Sequence, residues 1–431
     1  MIKPQELFRP VMMFWLCAIS VFAQPPSQPL TLDNCVRLAD EAAQSSITIA
    51  KQQAEIARYG LKVARAGFLP QAAVNTAFNY NSPLPHNRDE FSFVAANGIR
   101  EYVGVGAVNL DIDTSGRLRA QMARARADAD AAAANILLSQ RDLKRAITAA
   151  YYRLLLARHM GQVSRDSLQE AQAFEQRTNL LFQGMEAARA DVVKAHAESQ
   201  FLLQSVNAAE LEARMANHDL ASFWTIDVDP ELSIVDRLEE QLPTPEPSTP
   251  AAARPFVNRF EFRLYDAQRR GFLADARRAR ADRLPQLSFT YEYGLDSTRV
   301  AWSDRGYAAF LNFRIPVFDW FRARSTERQF QLQAKQVQTQ STIAERTFSR
   351  DYRDALARVE LIYSQIAITQ EQVSASQENL RLARVRYEGG EGSALDVVAA
   401  QSQLTQARTN FYTAKANYLN SRAELEVTAG R

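Results

Sequence analysis

The sequence predicts a mainly α protein with a smaller β portion, in which long antiparallel coiled-coil helices adjoin four membrane-spanning β-strands. Three observations support this fold class. Two very long stretches lack proline and almost lack glycine, four short segments alternate apolar with polar residues, and the whole pattern occurs twice along the chain.

The long helices are predicted from where helix-breaking residues are missing. Residues 117–183 contain one glycine, Gly161, and no proline, and residues 317–388 contain neither. Proline costs a helix interior about 3 kcal/mol and glycine about 1 kcal/mol. Each stretch can therefore hold a helix of roughly 65 residues, on the order of 100 Å long.

Periodicity supports the helical prediction. Small and apolar residues recur at alternating three- and four-residue spacing, which is typical of coiled-coil packing. The spacing is clearest in the last predicted helix, at Leu404, Ala407, Phe411, Ala414, Tyr418, Ser421 and Leu425.

Four strands are predicted at about 71–81, 101–113, 285–296 and 306–317, one pair before each long helix. Phe289 and Tyr291 alternate with Ser288 and Thr290 in the third of them. Segments of about ten residues with an aromatic-rich face and a polar face are typical of membrane-spanning strands. On strand signals alone, a soluble hairpin packed on a core remains an alternative. The predicted lumen-facing candidates on the polar faces are Asn75, Asn79, Asn312 and Arg314.

The chain repeats internally. Leu69-Pro70-Gln71 recurs as Leu284-Pro285-Gln286, and Asp191-Val192-Val193 recurs as Asp396-Val397-Val398. We therefore predict a first repeat over 24–223 and a second over 257–431. Residues 224–256 contain six prolines, a composition that predicts a linker between the repeats.

The first 23 residues have the pattern of a secretory signal peptide. Lys3 and Arg9 precede a short apolar stretch, and Ala23 precedes the expected cleavage point. Lipidation at Cys17 is an alternative, although the bulky residues before it argue against this. Cys35 is then the one remaining cysteine, predicted to be a small buried hydrophobe. No later apolar run is long enough to predict a membrane-spanning helix.

Composition and motifs argue against several function classes. The 51 basic and 49 acidic residues nearly cancel, which gives no electrostatic reason to expect nucleic acid as a partner. The four histidines are scattered and show no metal-ligand spacing. No phosphate-binding loop or nucleophile elbow occurs. We predict no catalytic residues, no metal and no cofactor.

Several motifs resemble the TolC-type outer-membrane efflux proteins. The most specific is the segment 386–398, Arg-Tyr-Glu-Gly-Gly-Glu-Gly-Ser-Ala-Leu-Asp-Val-Val, and the Leu-Pro before two of the strands is similar to the family as well. The resemblance spans nearly the whole chain after the signal peptide. It implies a TolC-like fold: a homotrimer that forms a 12-stranded β-barrel in the cell outer membrane, with an α-helical tunnel in the periplasm.

The resemblance also implies a function and partners. A protein of this kind passively conducts substrates outward as the exit duct of a tripartite efflux or type I secretion system. Its expected partners are a periplasmic adaptor (membrane fusion) protein, an inner-membrane pump and outer-membrane lipid. A non-conducting coiled-coil envelope scaffold and a free-standing porin are the alternatives, and the sequence does not identify the cargo.

Site residues follow from the same resemblance. Gly184, Met185, Gly389 and Gly390 would form the adaptor-contacting tips of two helical hairpins, although a helix-ending glycine without a partner is the simpler alternative. Asp191, Tyr387 and Asp396 would belong to the periplasmic gate. Asp396 could equally serve as a negative charge at a helix N-terminus. Gly392 and Ala399 stand where some members carry a linking arginine and a second acid, so a salt-bridged closed gate is not expected.

Overall fold

The computed structural model describes residues 29–84, 86–91, 98–245 and 254–430. The predicted signal peptide, with Cys17, lies outside the described residues, as do residues 246–253 of the predicted linker.

Seven α-helices dominate the described chain, and the third and sixth contain 67 residues each. At about 1.5 Å per residue each spans roughly 100 Å, which confirms the two long helices. Among the described residues, no helix combines the length and apolar character needed to cross a membrane. The helices are α1 Leu32–Glu41, α2 Ser46–Ala66, α3 Arg117–Gln183, α4 Arg189–Ala221, α5 Phe260–Ala281, α6 Arg322–Glu388 and α7 Ala394–Thr428, with short 3-10 turns at Pro255–Asn258 and Trp302–Asp304.

The main sheet has four antiparallel strands in the order β1-β4-β5-β6. A short hairpin of two further strands lies between β1 and β4 in the chain. The predicted fourth strand extended to 317, but β6 ends at Arg314, because Pro316 has no backbone N–H to donate to a ladder. The strands are β1 Gln71–Tyr80, β2 Pro83–Leu84, β3 Asn87–Phe91, β4 Arg100–Ile112, β5 Gln286–Ser297 and β6 Arg305–Arg314.

The helices beneath the sheet repeat its order. α2 packs on α3, α3 on α5 and α5 on α6, so each strand continues into a helix at the same position in the row. The shorter helices return alongside, α4 against α3 and α7 against α6. The resulting unit has β1 and α2 along one side, and β6 and α6 along the other.

Each long helix begins with an aspartate that caps its first turn. Asp113 accepts hydrogen bonds from the backbone N–H groups of Leu118 (2.9 Å) and Arg119 (3.2 Å), and hydrogen bonding to Arg119 lowers its pKa against the opposing effect of burial. Asp319 accepts from Ala323 N–H at 2.9 Å. Satisfying these otherwise unpaired N–H groups fixes where the strands become helices.

The predicted linker is largely folded. Leu30 and Ile234 form a parallel β-bridge, and Leu238 is fully buried among α3 and α7 residues. The buried hydroxyl of Tyr151 donates to the carbonyl oxygen of Val235 at 2.7 Å. The part of the linker within the described residues is therefore a belt fastened to the long helices. The prolines correctly predicted that the helical structure is interrupted in this region, but they did not predict that the region packs on the helices.

Cys35 lies in the same core at the middle of the molecule. Its side chain is fully buried, and burial raises the pKa of the thiol to about 11. The burial confirms the prediction of a small buried hydrophobe.

Candidate functional site

The four-stranded sheet has two chemically different faces. Cross-strand pairing puts Asn75 opposite Val105, Val105 opposite Gly294 and Ser288 opposite Asn312. Paired residues share a face, so all four predicted lumen candidates lie on one face, which we call the polar face. It also carries Glu101, which accepts a 3.0 Å hydrogen bond from Asn79, and Asn109, which accepts a 2.8 Å hydrogen bond from Thr290.

The other face, here the apolar face, is rich in large hydrophobic side chains that remain exposed. Val74 is 78% exposed and Tyr307 76% exposed, far more than a soluble sheet packed on a core would leave open. Further exposed members are Phe78, Tyr80, Tyr291, Tyr293, Leu311 and Phe313. β1 and β6 form the two edges of this open sheet.

A cavity of about 660 Å³ lies on the polar-face side where the sheet meets the helices, and we call it the junction cavity. Its wall combines polar-face residues such as Asn312 and Arg314 with the first turns of α3 and α6. Two of the lining residues, Arg117 and Asp111, form an ion pair at 2.8 Å. Sequence reasoning found Asn312 and Arg314 from alternation but missed the helical half of this wall, because apolar periodicity marks packed helix faces and does not mark polar residues at helix ends.

At the opposite end of the long helices, two short turns close the hairpins α3–α4 and α6–α7. We call residues 184–188 the first tip and residues 389–393 the second tip. Both helices end with a reversal in which a later N–H reaches back five residues, Glu186 to Leu181 and Glu391 to Arg386. In the second tip Gly390 has φ +76°, whereas in the first tip Met185, not Gly184, takes the left-handed conformation with φ 62°. The Met185 side chain is 95% exposed.

The three gate candidates lie near the tips in different environments. Tyr387 is 8% exposed, lies edge-on to Phe174 of the first hairpin and packs between the two hairpins. Its hydroxyl and that of Thr178 are buried near each other, but neither makes a hydrogen bond of good geometry within the described chain. Burial raises the pKa of Tyr387.

The two aspartates both occupy the third position of a helix. Asp396 accepts hydrogen bonds from the backbone N–H (3.1 Å) and hydroxyl (3.0 Å) of Ser393, while its own N–H donates back to that hydroxyl. This capping box lowers the pKa of Asp396, so the helix-terminus role does operate there. Asp191 is half-buried at the start of α4, whose N-cap residue, Ala188, makes no side-chain cap.

No group of three or more histidine, cysteine or acidic side chains in the described part of the chain is arranged to hold a metal ion. Two histidines instead pair with single carboxylates: His159 Nε2 lies 2.7 Å from Asp236 of the belt, and His196 Nδ1 lies 2.7 Å from Glu175 across the first hairpin.

Comparison with solved structures shows the same fold at low sequence identity. The Campylobacter jejuni CmeC outer membrane channel matches with a TM-score of 0.82 and 18% identity, over 93% of this chain and 85% of that one. The outer membrane protein VceC of Vibrio cholerae matches with a TM-score of 0.79 and 15% identity, over 93% and 96%. The open-state MtrE channel of Neisseria gonorrhoeae gives 0.76 and 20%, over 93% and 88%.

Sequence comparison identifies the family. A curated relative, nodulation protein T of Rhizobium leguminosarum bv. viciae, is 23% identical over 294 residues, covering 65% of this chain and 58% of its own length. The family model of outer membrane efflux proteins matches residues 38–223 and 256–431. The chain therefore belongs to the outer membrane efflux protein family.

Proposed function

We propose that this outer-membrane efflux protein is the passive exit duct of a tripartite efflux or type I secretion system. The open sheet carries the proposal. Four strands with two edges and one exposed apolar face cannot close on themselves, and unpaired edges cannot face lipid. Joining β6 of one copy to β1 of the next in three copies gives twelve strands, an even number as single-chain bacterial barrels have.

In this assembly the polar face lines the lumen and the apolar face meets lipid. Asn75, Asn79, Asn312 and Arg314 then contact solutes inside the barrel. The helices below continue the wall into the periplasm as a tunnel, because α2, α3, α5 and α6 follow the order of the strands. The two repeats, 24–223 and 257–431, would each supply half of every protomer's wall, joined by residues 224–256 at its equator.

The tips would contact a periplasmic adaptor, which connects the duct to an inner-membrane pump that supplies the energy. Support comes from Met185, a large apolar side chain held exposed in a conformation that costs a non-glycine residue on the order of 1 kcal/mol. Gly184, Gly389 and Gly390 shape the two turns around it. Asp191, Tyr387 and Asp396 would set the width and charge of the entrance between hairpins.

Two measurements test the duct. The detergent-extracted protein should have the mass of a trimer, and in planar bilayers it should give discrete conductance steps. A trimer without conductance would identify a scaffold. If the protein conducts in planar bilayers, but the tolerance of cells to exported compounds does not depend on any adaptor, the protein would be a porin. Either result would refute the proposal.

Met185→Ser tests the adaptor contact, with Met215→Ser as its matched control. Met215 is also exposed, but lies 30 residues from Met185, roughly 45 Å along the hairpin. We expect Met185→Ser to weaken adaptor binding about tenfold while leaving trimer mass and single-channel conductance unchanged, and Met215→Ser to change none of the three. Equal adaptor affinity for both variants would show that Met185 of the first tip does not contact the adaptor.

A further inference from the structure

The sheet-proximal ends of α2, α3, α5 and α6 have two faces with different charge. The face toward the junction cavity is marked on α3 by Arg117, on α5 by Ala279 and by Asp282 directly after its end, and on α6 by Arg322 and Thr326, all of which line the cavity. On α2 the same side is marked by Gly60. Gly60 lines a groove with α3 residues next to Arg124, and Arg124 lies seven residues from Arg117, on the same face of α3.

Residues two positions apart on a helix lie about 200° apart around its axis. Arg119 follows Arg117 by two, Arg280 precedes Asp282 by two, and Arg324 follows Arg322 by two. These positions therefore lie on the helix faces away from the cavity, and of the three side chains Arg119 reaches back to Asp113. Further basic residues lie at similar angles on the same outward faces, and together they form a set that we call the basic collar: Lys62, Arg65, Arg119, Arg126, Arg277, Arg280, Arg324 and Arg328.

The basic collar is exposed and largely without acidic partners. All eight side chains belong to exposed residues. Within the described chain only Arg119 has a carboxylate oxygen within 4 Å, that of Asp113 at 2.8 Å. Other carboxylates at this level have partners outside the basic collar: Asp275 pairs with Arg124, and Glu327 pairs with Arg283 between α5 and α6.

The basic collar also adjoins the apolar surface of the sheet. All its members lie within about 15 Å of the sheet-proximal ends of their helices. Between them and β6, Phe318, Trp320 and Phe321 form an exposed cluster with ring centroids 4.9 Å and 6.2 Å apart. None of the three rings lines the junction cavity. Exposed aromatic residues next to an apolar surface are typical of a membrane–water boundary, and arginine or lysine beyond it can reach lipid headgroups.

We propose that the basic collar binds the anionic headgroups of phospholipids in the periplasmic leaflet of the outer membrane. The inference rests on the proposed function, since it requires the sheet to span a bilayer. Phosphate oxygens complement an outward ring of arginines that has few carboxylates of its own. Peptidoglycan is also anionic, but the basic collar continues directly from the apolar face, which favours lipid.

The test uses Trp320 as the reporter. In a Trp224→Phe, Trp302→Phe background, Trp320 is the only tryptophan after Trp15. The trimer is reconstituted into phosphatidylcholine vesicles that contain either brominated phosphatidylglycerol or brominated phosphatidylethanolamine. Because bromine quenches tryptophan at short range, the dependence of quenching on lipid fraction gives the relative association constant of each lipid beside the basic collar.

The collar variant is Arg277→Gln with Arg328→Gln, and its matched control is Arg263→Gln with Arg346→Gln. The control pair removes the same charge from exposed residues on the same outward faces of α5 and α6, but about 20 Å or more farther from the sheet. That distance exceeds the screening length of about 8 Å at physiological salt.

We expect the unmodified trimer to prefer phosphatidylglycerol. A basic residue near an anionic surface contributes about fivefold in affinity, so the collar variant should lose most of this preference and the control should keep it. Equal quenching by both lipids in the unmodified trimer, or the same preference in both variants, would overturn the inference while leaving the duct intact. Absence of quenching by either lipid would instead refute the membrane-spanning sheet. Loss of binding to purified peptidoglycan sacculi in the collar variant, with lipid preference unchanged, would assign the basic collar to peptidoglycan and also overturn the proposal.

Discussion

The two hairpin tips are equivalent in position and different in chemistry. Residues 205 apart correspond, so Phe182 matches Tyr387, Met185 matches Gly390 and Ala188 matches Ser393. The second tip has a glycine where the backbone is left-handed and a capping box at the next helix. The first tip has a methionine at that left-handed position and an alanine that makes no side-chain cap.

Burial differs in the same direction. Tyr387 is 8% exposed because the first hairpin of the same chain covers it, whereas Phe182 is 39% exposed. The second tip is thus held by its own protomer, while the corresponding surface of the first remains open. A repeated backbone therefore need not repeat its packing: the aromatic residue before the second tip is covered by the other hairpin, and the one before the first tip is left partly open.

The largest difference should appear when the aromatic residues are removed. Tyr387→Ala empties a buried site and should destabilise the second tip by about 3 kcal/mol, whereas Phe182→Ala should cost the first tip about 1 kcal/mol because its ring is partly exposed already. Hydrogen–deuterium exchange of residues 380–388 and 175–183 measures both. Tyr387→Phe is the control and should cost little, because the hydroxyl makes no well-formed hydrogen bond. Equal destabilisation of the two tips would show that the difference in burial between Tyr387 and Phe182 does not affect their stability.

Exchanging the caps should reverse part of the asymmetry. Ser393→Ala removes the capping box and should destabilise the start of α7 by about 1 kcal/mol, while Ala188→Ser should stabilise the start of α4 by up to about 1 kcal/mol. Amide protection of residues 394–398 and 189–193 reports each change. Ser402→Ala, an exposed substitution within α7, serves as the control and should leave both unchanged. If Ala188→Ser has no effect, the start of α4 must be satisfied in another way.

The left-handed residues should respond unequally to exchange. Gly390→Ala should cost about 1 kcal/mol from backbone strain alone, because a Cβ there meets no atom within 4 Å. Met185→Gly should change the stability of the first tip by less than about 0.5 kcal/mol, since relief of strain is offset by the greater freedom of glycine in the unfolded chain. Exchange at the tip amides measures both. A large gain for Met185→Gly would mean that strain at Met185 exceeds that of an ordinary left-handed residue.

A small pH effect should distinguish the aspartates. The pKa of Asp396 is lowered by its bonds to Ser393, so its contribution to stability is present above the ordinary aspartate pKa of 3.8 and lost as pH falls through the lowered value. At neutral pH, Asp396→Asn should therefore show less protection of residues 394–398 than the unmodified protein. The two proteins should begin to converge as pH falls below about 3.8 and converge fully below the lowered pKa of Asp396, with exchange compared between them at each pH. A difference that persists in acid would assign the loss to packing and not to charge.

Much of the fold was predictable from local chemistry. The absence of proline and glycine predicted both long helices, and strict alternation predicted four strands to within a few residues, except where Pro316 ended β6 early. The family resemblance is confirmed, and its members are channels, which agrees with the prediction of no enzymatic activity. Polar alternation also brought Asn75, Asn79, Asn312 and Arg314 onto one face.

Features that depend on neighbours were not predictable. Met185, Trp320 and Phe321 adopt left-handed conformations that their residue types disfavour, so residue type alone does not predict them. The belt around Leu238 folds because a hydrophobic core lies beneath it. The nearly balanced total charge does not reveal the basic collar. Its basic residues separate from the acidic ones only once the cavity-facing and outward faces of each helix are known. The roles of the tip and gate residues remain predictions.

The matching order of strands and helices has a geometric consequence. Because each strand and the helix that continues it occupy the same position in their rows, no segment has to cross the chain where the sheet meets the helices. In the proposed trimer, strands and helices would therefore continue one another as a single wall, with the belt packed against its middle. The widest cargo would then be set by the number of protomers in the ring and by how far apart the hairpin tips can move.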